Sequence, residues 1–392
     1  ECTPLKADDL TGLTNFALRE DIDLVVIGPE LPLALGLTDK MELAGLRVFG
    51  PAAAGARLES SKKFAKDFMA RHNIPTAAYR VFSELEGALR YLEGRPEGPV
   101  VVKASGLAQG KGVTVAASRA EAAAAAREAL EGGRFGEAGN EVVIEDFILG
   151  EEVSLLTFTD GKTLIPMPPV QDHKRVGEGD GGPNTGGMGA YGPVRIYTEE
   201  VAEAVRRTII EPVLRGLAAD KIDYRGCLYI GLMLPAEGSN YQGPQVIEFN
   251  ARFGDPETEV LMPLLESDLA EIMLRCAAGE LGGIEVKWRR GAAACVVMAS
   301  AGYPGEYLTG FPIKGGTPPD NGEAIAFHAG VARARGGGLT TAGGRVLTVT
   351  AAAPDLRAAL AAVYKRIETI SFEGAYYRRD IGHRELKRLQ EA

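Results

Sequence analysis

The sequence predicts a multidomain protein of mixed α/β and α+β class, on three observations. Its 392 residues, 45% of them hydrophobic and 24% charged, exceed what one ordinary core accommodates. Near the start, apolar strand-like runs alternate with helix-like segments, the pattern of a βαβ unit. Further on, β-branched runs pair as hairpins beside single helices, which is the α+β pattern.

Residues 10–20 read as a helix and residues 23–30 as an apolar strand ending in the turn Gly28-Pro29-Glu30. Residues 46–51 form the next strand, so residues 1–60 resemble the later half of a βαβ domain and an upstream part is expected. The Gly28–Glu30 turn then sits at a strand's carboxyl end, where open sheets place ligands; an ordinary strand-ending turn is an equal alternative. In residues 61–72, Phe64, Ala65, Phe68 and Met69 keep helical spacing behind Ser61 as N-cap, and Asn73-Ile74-Pro75 ends the helix.

Residues 99–115 are the most informative stretch. A valine run ends on Lys103, passes through a loop holding Gly106, Gly110, Lys111 and Gly112, and resumes as valines. Two strands joined by such a loop make a flexible phosphate clamp, with glycines allowing close approach and the lysines supplying charge. The stretch is not a P-loop: only three residues separate Gly106 from Gly110, and glycine follows Lys111. A helix over 118–131 follows, with Ser118 and Glu121 as a capping box. Residues 141–146 are a short buried strand, and Glu145 and Glu152 bracket the turn beyond it. Backbone groups near Phe147 and Ile148 can match the donor and acceptor edge of adenine, and a carboxylate seven residues on can accept from ribose hydroxyls. Alone, either glutamate reads as a solvated surface acid.

Residues 170–190 are too rich in glycine for regular structure, and Asp172, Lys174 and Arg175 suggest a charged substrate loop. His173 lacks a visible orienting partner and is a poor candidate for a catalytic base. A hairpin runs from residues 226–233 into residues 245–250, where Glu248 and Asn250 point to one face of a strand. A carboxylate and a carboxamide there suit magnesium. After residue 285 a separate α+β piece follows, with strands over 292–299 and 345–350 and an amphipathic helix over 354–370. Gly336-Gly337-Gly338 reads as a loop, and Tyr376 to Arg379 as a domain edge.

Composition excludes several classes. A net charge of −10 disfavours the outside of a nucleic-acid duplex while allowing a basic pocket for a small anionic metabolite. The four scattered cysteines form no CxxC pair, against both a disulfide framework and a zinc site. No apolar run is long enough to span a bilayer and no leader opens the chain, so a cytoplasmic enzyme is expected, with neither nucleic acid nor membrane as partner.

Taken in this order, Ser61-Lys62, the lysine hairpin, Glu145 and Glu152, residues 171–175 (QDHKR), residues 184–189 (NTGGMG) and residues 248–257 (EFNARFGDPE) are similar to the ATP-grasp superfamily. Within it they resemble the phosphoribosylamine–glycine ligase family, from about residue 25 to the C-terminus. The resemblance implies an ATP-grasp fold with a partial Rossmann-like domain over 1–60, a central domain over 61–78 and 149–286, a lid over 79–148 and a C-terminal α+β domain over 287–392. It implies that Lys62, Lys103, Gly106, Gly110 and Lys111 bind ATP phosphates. Glu145, Phe147 and Ile148 would bind adenine and Glu152 the ribose, with Glu248 and Asn250 holding Mg2+ or Mn2+. Glycine and 5-phosphoribosylamine are the implied substrates, with Glu30, Asp172, Lys174, Thr185, Gly186, Gly187, Met188 and Arg252 around them. Lys103, Arg252 and Asp172 are the implied catalytic residues, the loop amides of 184–189 contact substrate, and a monomer is expected.

Two departures stand out. The family's opening glycine-rich turn is missing, and residues 229–234 offer no second acidic metal ligand. Other ATP-grasp carboxylate–amine ligases, a carboxylase subunit and a non-catalytic ATP-binding regulator remain as alternatives. A Rossmann dehydrogenase lacks its strand–GxGxxG–helix unit.

Overall fold

The computed structural model describes residues 2–108, 112–133, 136–317 and 323–391, so the expectations for Gly110 and Lys111 lie outside the described residues. The chain divides into two compact units, one formed by residues 1–167, 198–253 and 268–285 and the other by 168–197, 254–267 and 286–392.

The first unit opens with α1 (Leu10–Arg19), capped by Asp9, whose carboxylate accepts from the Gly12 amide at 2.8 Å. The strands β1 (Val25–Val26) and β2 (Val48–Phe49) pair in parallel, with α2 (Glu30–Ala34) and α3 (Leu37–Leu43) as the crossover, as the βαβ reading expects. Next, α4 (Ala53–Ser60) and α5 (Lys62–Arg71) break at Ser61, which is extended and caps α5 by accepting from Phe64 N at 3.2 Å. The inward stripe of α5 is Ala65, Phe68 and Met69, but Lys66 is buried with them.

The sheet of the expected lid region has the order β3-β6-β4-β5 from β3 (Tyr79–Phe82), β4 (Val100–Ala104), β5 (Val113–Ala116) and β6 (Val142–Asp146), all neighbours antiparallel. Two helices, α6 (Leu85–Glu93) and α7 (Arg119–Leu130), contribute to its core, where Ala88, Leu92, Ala122 and Ala126 meet Val100, Val102, Val142 and Ile144. Neither β3 nor α6 is anticipated by the sequence reading. Alternation along each strand therefore turns Lys103 of β4 and Glu145 of β6 to the opposite face. Val101 lies across from Glu145 and Lys103 across from Val143, so the lysine and the glutamate are diagonal neighbours. The Ser118 hydroxyl accepts from Glu121 N, while Glu121 accepts from Ala117 N instead of Ser118 N, one residue earlier than a capping box requires.

The central sheet has the order β14-β13-β7-β8, from β7 (Gly150–Thr159), β8 (Leu164–Pro166), β13 (Gly226–Pro235) and β14 (Gln245–Asn250). The 10-residue strands β7 and β13 pair along their whole length and are buried over most of it, which explains their continuous apolar sequences. A bulge at Gly231/Leu232 interrupts the β13–β14 pairing beside Glu248. Three helices, α8 (Glu199–Val205), α9 (Glu211–Ala219) and α11 (Leu269–Ala278), complete the unit.

In the second unit the glycine-rich stretch is more regular than its composition suggests. It forms β9 (Gln171–Asp172), β10 (Arg175–Gly177), β11 (Gly181–Asn184) and β12 (Gly189–Gly192), with β10 and β11 paired as a hairpin. The expectation of an irregular loop fails because tertiary pairing supplies its backbone partners. β12 lies between β9 and β15 (Ala292–Ala299) in a sheet of order β17-β20-β15-β12-β9, completed by β17 (Ile325–His328) and β20 (Arg345–Ala353). A three-stranded sheet joins β16 (Pro312–Ile313), β19 (Leu339–Thr341) and β18 (Val331–Arg333), and Gly337 and Gly338 form the β18–β19 turn at positive φ. Helix α12 (Leu356–Ile367) packs on β15 and β20 through Leu356, Leu360, Val363 and Ile367, the stripe its spacing predicts. Short α10 (Glu257–Leu261) and C-terminal α13 (His383–Glu391) complete this unit.

Candidate active site

In the first unit, three lysines and two glutamates converge where the lid sheet meets β14. Lys103 Nζ lies 3.0 Å from Glu145 Oε2 and donates to the Ile247 carbonyl at 2.9 Å, so it spans from lid to central sheet. Lys62 heads α5, whose first turn docks on the loop after β4: Lys62 N donates to Ser105 O at 2.7 Å and Lys63 N to Ser105 Oγ at 3.2 Å. Burial lowers the Lys62 pKa, opposed by the charge of Glu248, and the ammonium of Lys103 lowers it further. Lys62 thus lies within the field of both Glu248 and Lys103.

Glu248 and Asn250 lie on one face of β14, opposite Gly231 and Tyr229. A Cβ on Gly231 would stand 2.9 Å from Glu248 Cγ, so this glycine leaves the room that the carboxylate occupies. Two hard oxygen donors on one face fit a magnesium ion that keeps its other positions for water and phosphate. The hydroxyls of Tyr229 and Ser154 bond to each other at 2.8 Å where a second acidic ligand is missing.

Phe147 and Ile148 lie in the connection between β6 and β7, with Ile148 buried. Glu152 stands in β7 itself, beyond the turn it was expected to bracket. Gly106 has a packing reason for being glycine, since a Cβ there would fall 2.6 Å from Ala138 Cα. Arg252 pairs with Glu59 at 3.0 Å and Glu30 at 3.6 Å. Glu59 also accepts from the Ala251 amide at 2.7 Å, and burial raises its pKa against the lowering effect of Arg252.

The remaining expected residues lie in the second unit. Thr185 N and Oγ1 both donate to the Lys174 carbonyl, Gly186 N donates to Tyr303 Oη, Gly187 N to Thr185 Oγ1 and Met188 N to His173 O. The amides of residues 185–188 thus all have partners within the protein. Gly187 at φ 111° brings its backbone against Asp172, a Cβ there falling 2.8 Å from Asp172 Oδ1.

A family model for the phosphoribosylglycinamide synthetase N domain matches residues 1–59, its ATP-grasp (A) domain model matches 60–258 and its C domain model matches 293–384. A phosphoribosylamine–glycine ligase of Allochromatium vinosum is 49% identical over 388 residues, covering 99% of this chain and 89% of that protein. The chain belongs to the phosphoribosylamine–glycine ligase family. An Escherichia coli ligase of this family is 47% identical over 382 residues, 97% of this chain and 88% of its own length. The crystal structure of the Thermotoga maritima ligase superposes with a TM-score of 0.76 at 38% identity, over 85% of this chain and 81% of that one. The biotin carboxylase domain of a Hydrogenobacter thermophilus 2-oxoglutarate carboxylase shares the fold, with a TM-score of 0.73 at 17% identity over 96% of this chain and 81% of that one. ATP-grasp architecture is therefore common to the ligase family and to this carboxylase.

One cluster escaped the sequence reading. Arg378, expected at a domain edge, is fully buried in the second unit, bidentate to Asp380 at 2.8 and 2.7 Å and 3.0 Å from Asp180 Oδ1. Arg384 reaches Asp180 at 2.6 Å. Asp180 lies 198 positions before Arg378 and 204 before Arg384, so no local signal links it to them. His173, Asp180 and His383 bring potential metal ligands within 4.8 Å of one another. However, the Gly382 amide donates to His173 Nε2 at 3.0 Å, which puts the ring proton on Nδ1, facing Asp180. With two guanidinium groups also on Asp180, this is an ion-pair clasp whose charge is balanced without a cation. Burial lowers the His173 pKa and keeps it neutral, and Asp180, hydrogen-bonded by His173 and by both arginines, titrates well below the usual carboxylate range.

Proposed function

We propose that this chain joins glycine to 5-phosphoribosylamine at the expense of ATP, giving glycinamide ribonucleotide, ADP and phosphate. The observation that carries the reading is the convergence of Lys62, Lys103, Glu145 and Glu248 at one junction of lid and central sheet. A carboxylate is a poor electrophile, so a glycine carboxylate oxygen first attacks the γ-phosphorus and ADP leaves. The sugar amine then attacks the carbonyl of the resulting glycyl phosphate, phosphate departs with the C–O bonding pair, and the amine loses a proton. No protein nucleophile is needed; positioning and charge neutralisation supply the rate.

In this reading Lys62, Lys103, Gly106, Gly110 and Lys111 bind phosphates. Glu145 and the backbone at Phe147 and Ile148 bind adenine, and Glu152 binds ribose. Mg2+ or Mn2+ would be held by Glu248 and Asn250, and when bound it neutralises phosphate charge. Glu30 and Arg252, 3.6 Å apart, suit the two ends of a zwitterionic amino acid. Asp172, Lys174 and residues 185–188 serve the substrates, the loop through its backbone. We assign the four-part division of domains given above, a monomeric state, a cytoplasmic location and neither nucleic-acid nor membrane partners to the same proposal. No helix among the described residues is long and apolar enough to cross a membrane.

The test is ADP release with each substrate omitted in turn. Turnover that requires both glycine and phosphoribosylamine supports the proposal. ADP release indifferent to glycine overturns it.

A further inference from the structure

Lys66 is the one charged residue in the buried stripe of α5, and nothing in the reaction above uses it. Its Nζ lies 3.2 Å from Glu145 Oε2, the same oxygen that Lys103 Nζ approaches at 3.0 Å, and the side chains of Lys66 and Glu145 are each 3% exposed. Lys66 also donates to Thr76 Oγ1 at 2.7 Å, and that hydroxyl donates to the Val246 carbonyl at 2.6 Å. The Tyr79 ring closes the remaining side, 5.6 Å from Nζ. Glu145 Oε1, by contrast, is buried and no hydrogen bond reaches it among the described residues.

We propose that Lys66 is a positioning residue that clamps one oxygen of Glu145 so that the other is presented, as an obligate acceptor, to the exocyclic amine of the nucleotide base. This deepens the reading above and rests on its placement of the base at Glu145. Two ammonium groups converge on Oε2, and the other carboxylate oxygen can only accept, which favours an amino group and rejects a carbonyl oxygen at that position of the base. Lys66 serves Lys103 as well. As a standing counter-ion for Glu145, it leaves Lys103 free to turn to phosphate without stranding a buried carboxylate. Anchoring through Thr76 to β14 ties this acceptor to the strand that bears Glu248.

Without Lys66 one of the two ammonium groups that hold Oε2 is gone, so the acceptor that separates the amino group of adenine from the carbonyl oxygen of guanine is no longer fixed in place. Lys66→Met is therefore expected to lower the ATP-over-GTP preference in kcat/KM by roughly tenfold or more, with the KM for glycine within about twofold of wild type. Glu145→Gln should lower the same preference, and Lys66→Met added to it should cost nothing further, since the two residues act as one unit. Wild-type preference in a folded Lys66→Met protein, with Glu145→Gln shifted, overturns this inference alone. An effect of Lys66→Met that persists in the Glu145→Gln background does the same. Unaltered preference in Glu145→Gln overturns the placement of the base and this inference with it. If Lys66→Met does not fold, Lys66→Gln, which keeps a donor without the charge, carries the same comparison.

Discussion

At the scale of single residues, charge at this site is set by burial first and then by neighbouring charges. Glu248 sits where Gly231 makes room for it and within the field of Lys62. Replacing it with alanine should cut turnover by roughly 100-fold or more, the loss expected when a ligand and not merely its support is removed. Stability should change by about 1 kcal/mol or less. A Glu248→Ala enzyme as active as wild type would remove the metal role. Arg378 makes the opposite case, a fully buried guanidinium enclosed by Asp180 and Asp380. Arg378→Met takes the bidentate guanidinium from Asp380 and one of two guanidinium groups from Asp180, and should destabilise the protein by about 3–5 kcal/mol. Denaturant unfolding reads this directly, and an unchanged midpoint would contradict the clasp.

At the scale of elements, the strand period does most of the positioning. Alternation in β4 and β6 sends Val100, Val102, Val142 and Ile144 to the helices and Lys103 and Glu145 to the other face. The valine run and the lysine at its end were both visible in the sequence, and so was the Ser61 cap that starts α5 beside Lys62. Lys66 was not singled out in the sequence, because the carboxylate that pairs with it comes from β6. The bulge at Gly231 is an element-scale device that could not be read beforehand. Gly231→Ala would set a Cβ 2.9 Å from Glu248 Cγ and push that side chain from its place. We expect a raised metal requirement, with the metal concentration for half-maximal ADP release rising roughly tenfold or more. An unshifted metal titration would show that the carboxylate tolerates the displacement.

At the scale of the whole molecule, one buried lysine leaves a signature in the pH dependence of stability. Burial brings Lys66 from its ordinary 10.5 down to about 8, against the opposing charge of Glu145. The folded chain therefore loses this proton before the unfolded chain does. Between about 8 and 10.5 the unfolded state binds more protons, so this group makes stability rise with pH across that window and contributes no slope below it. Lys66→Met lacks the term. The melting temperature of wild type minus that of the variant should grow as pH crosses the window, and a constant difference would show that the ammonium is not held as described.

Local rules determined much of this protein from its sequence alone. Hairpins, caps, the stripe of α12 and the Glu248–Asn250 pair depend on residues a few positions apart, so spacing and propensity suffice to place them. Tertiary structure alone decided the order in the glycine-rich stretch, the burial of Arg378 and the meeting of Lys66 with Glu145. In each of these the stabilising partner lies far along the chain: β15 for β12, Asp180 for Arg378, and β6 for α5. A buried charge or a glycine-rich strand is tolerable only when such a partner is present, and the local sequence has no means of naming it.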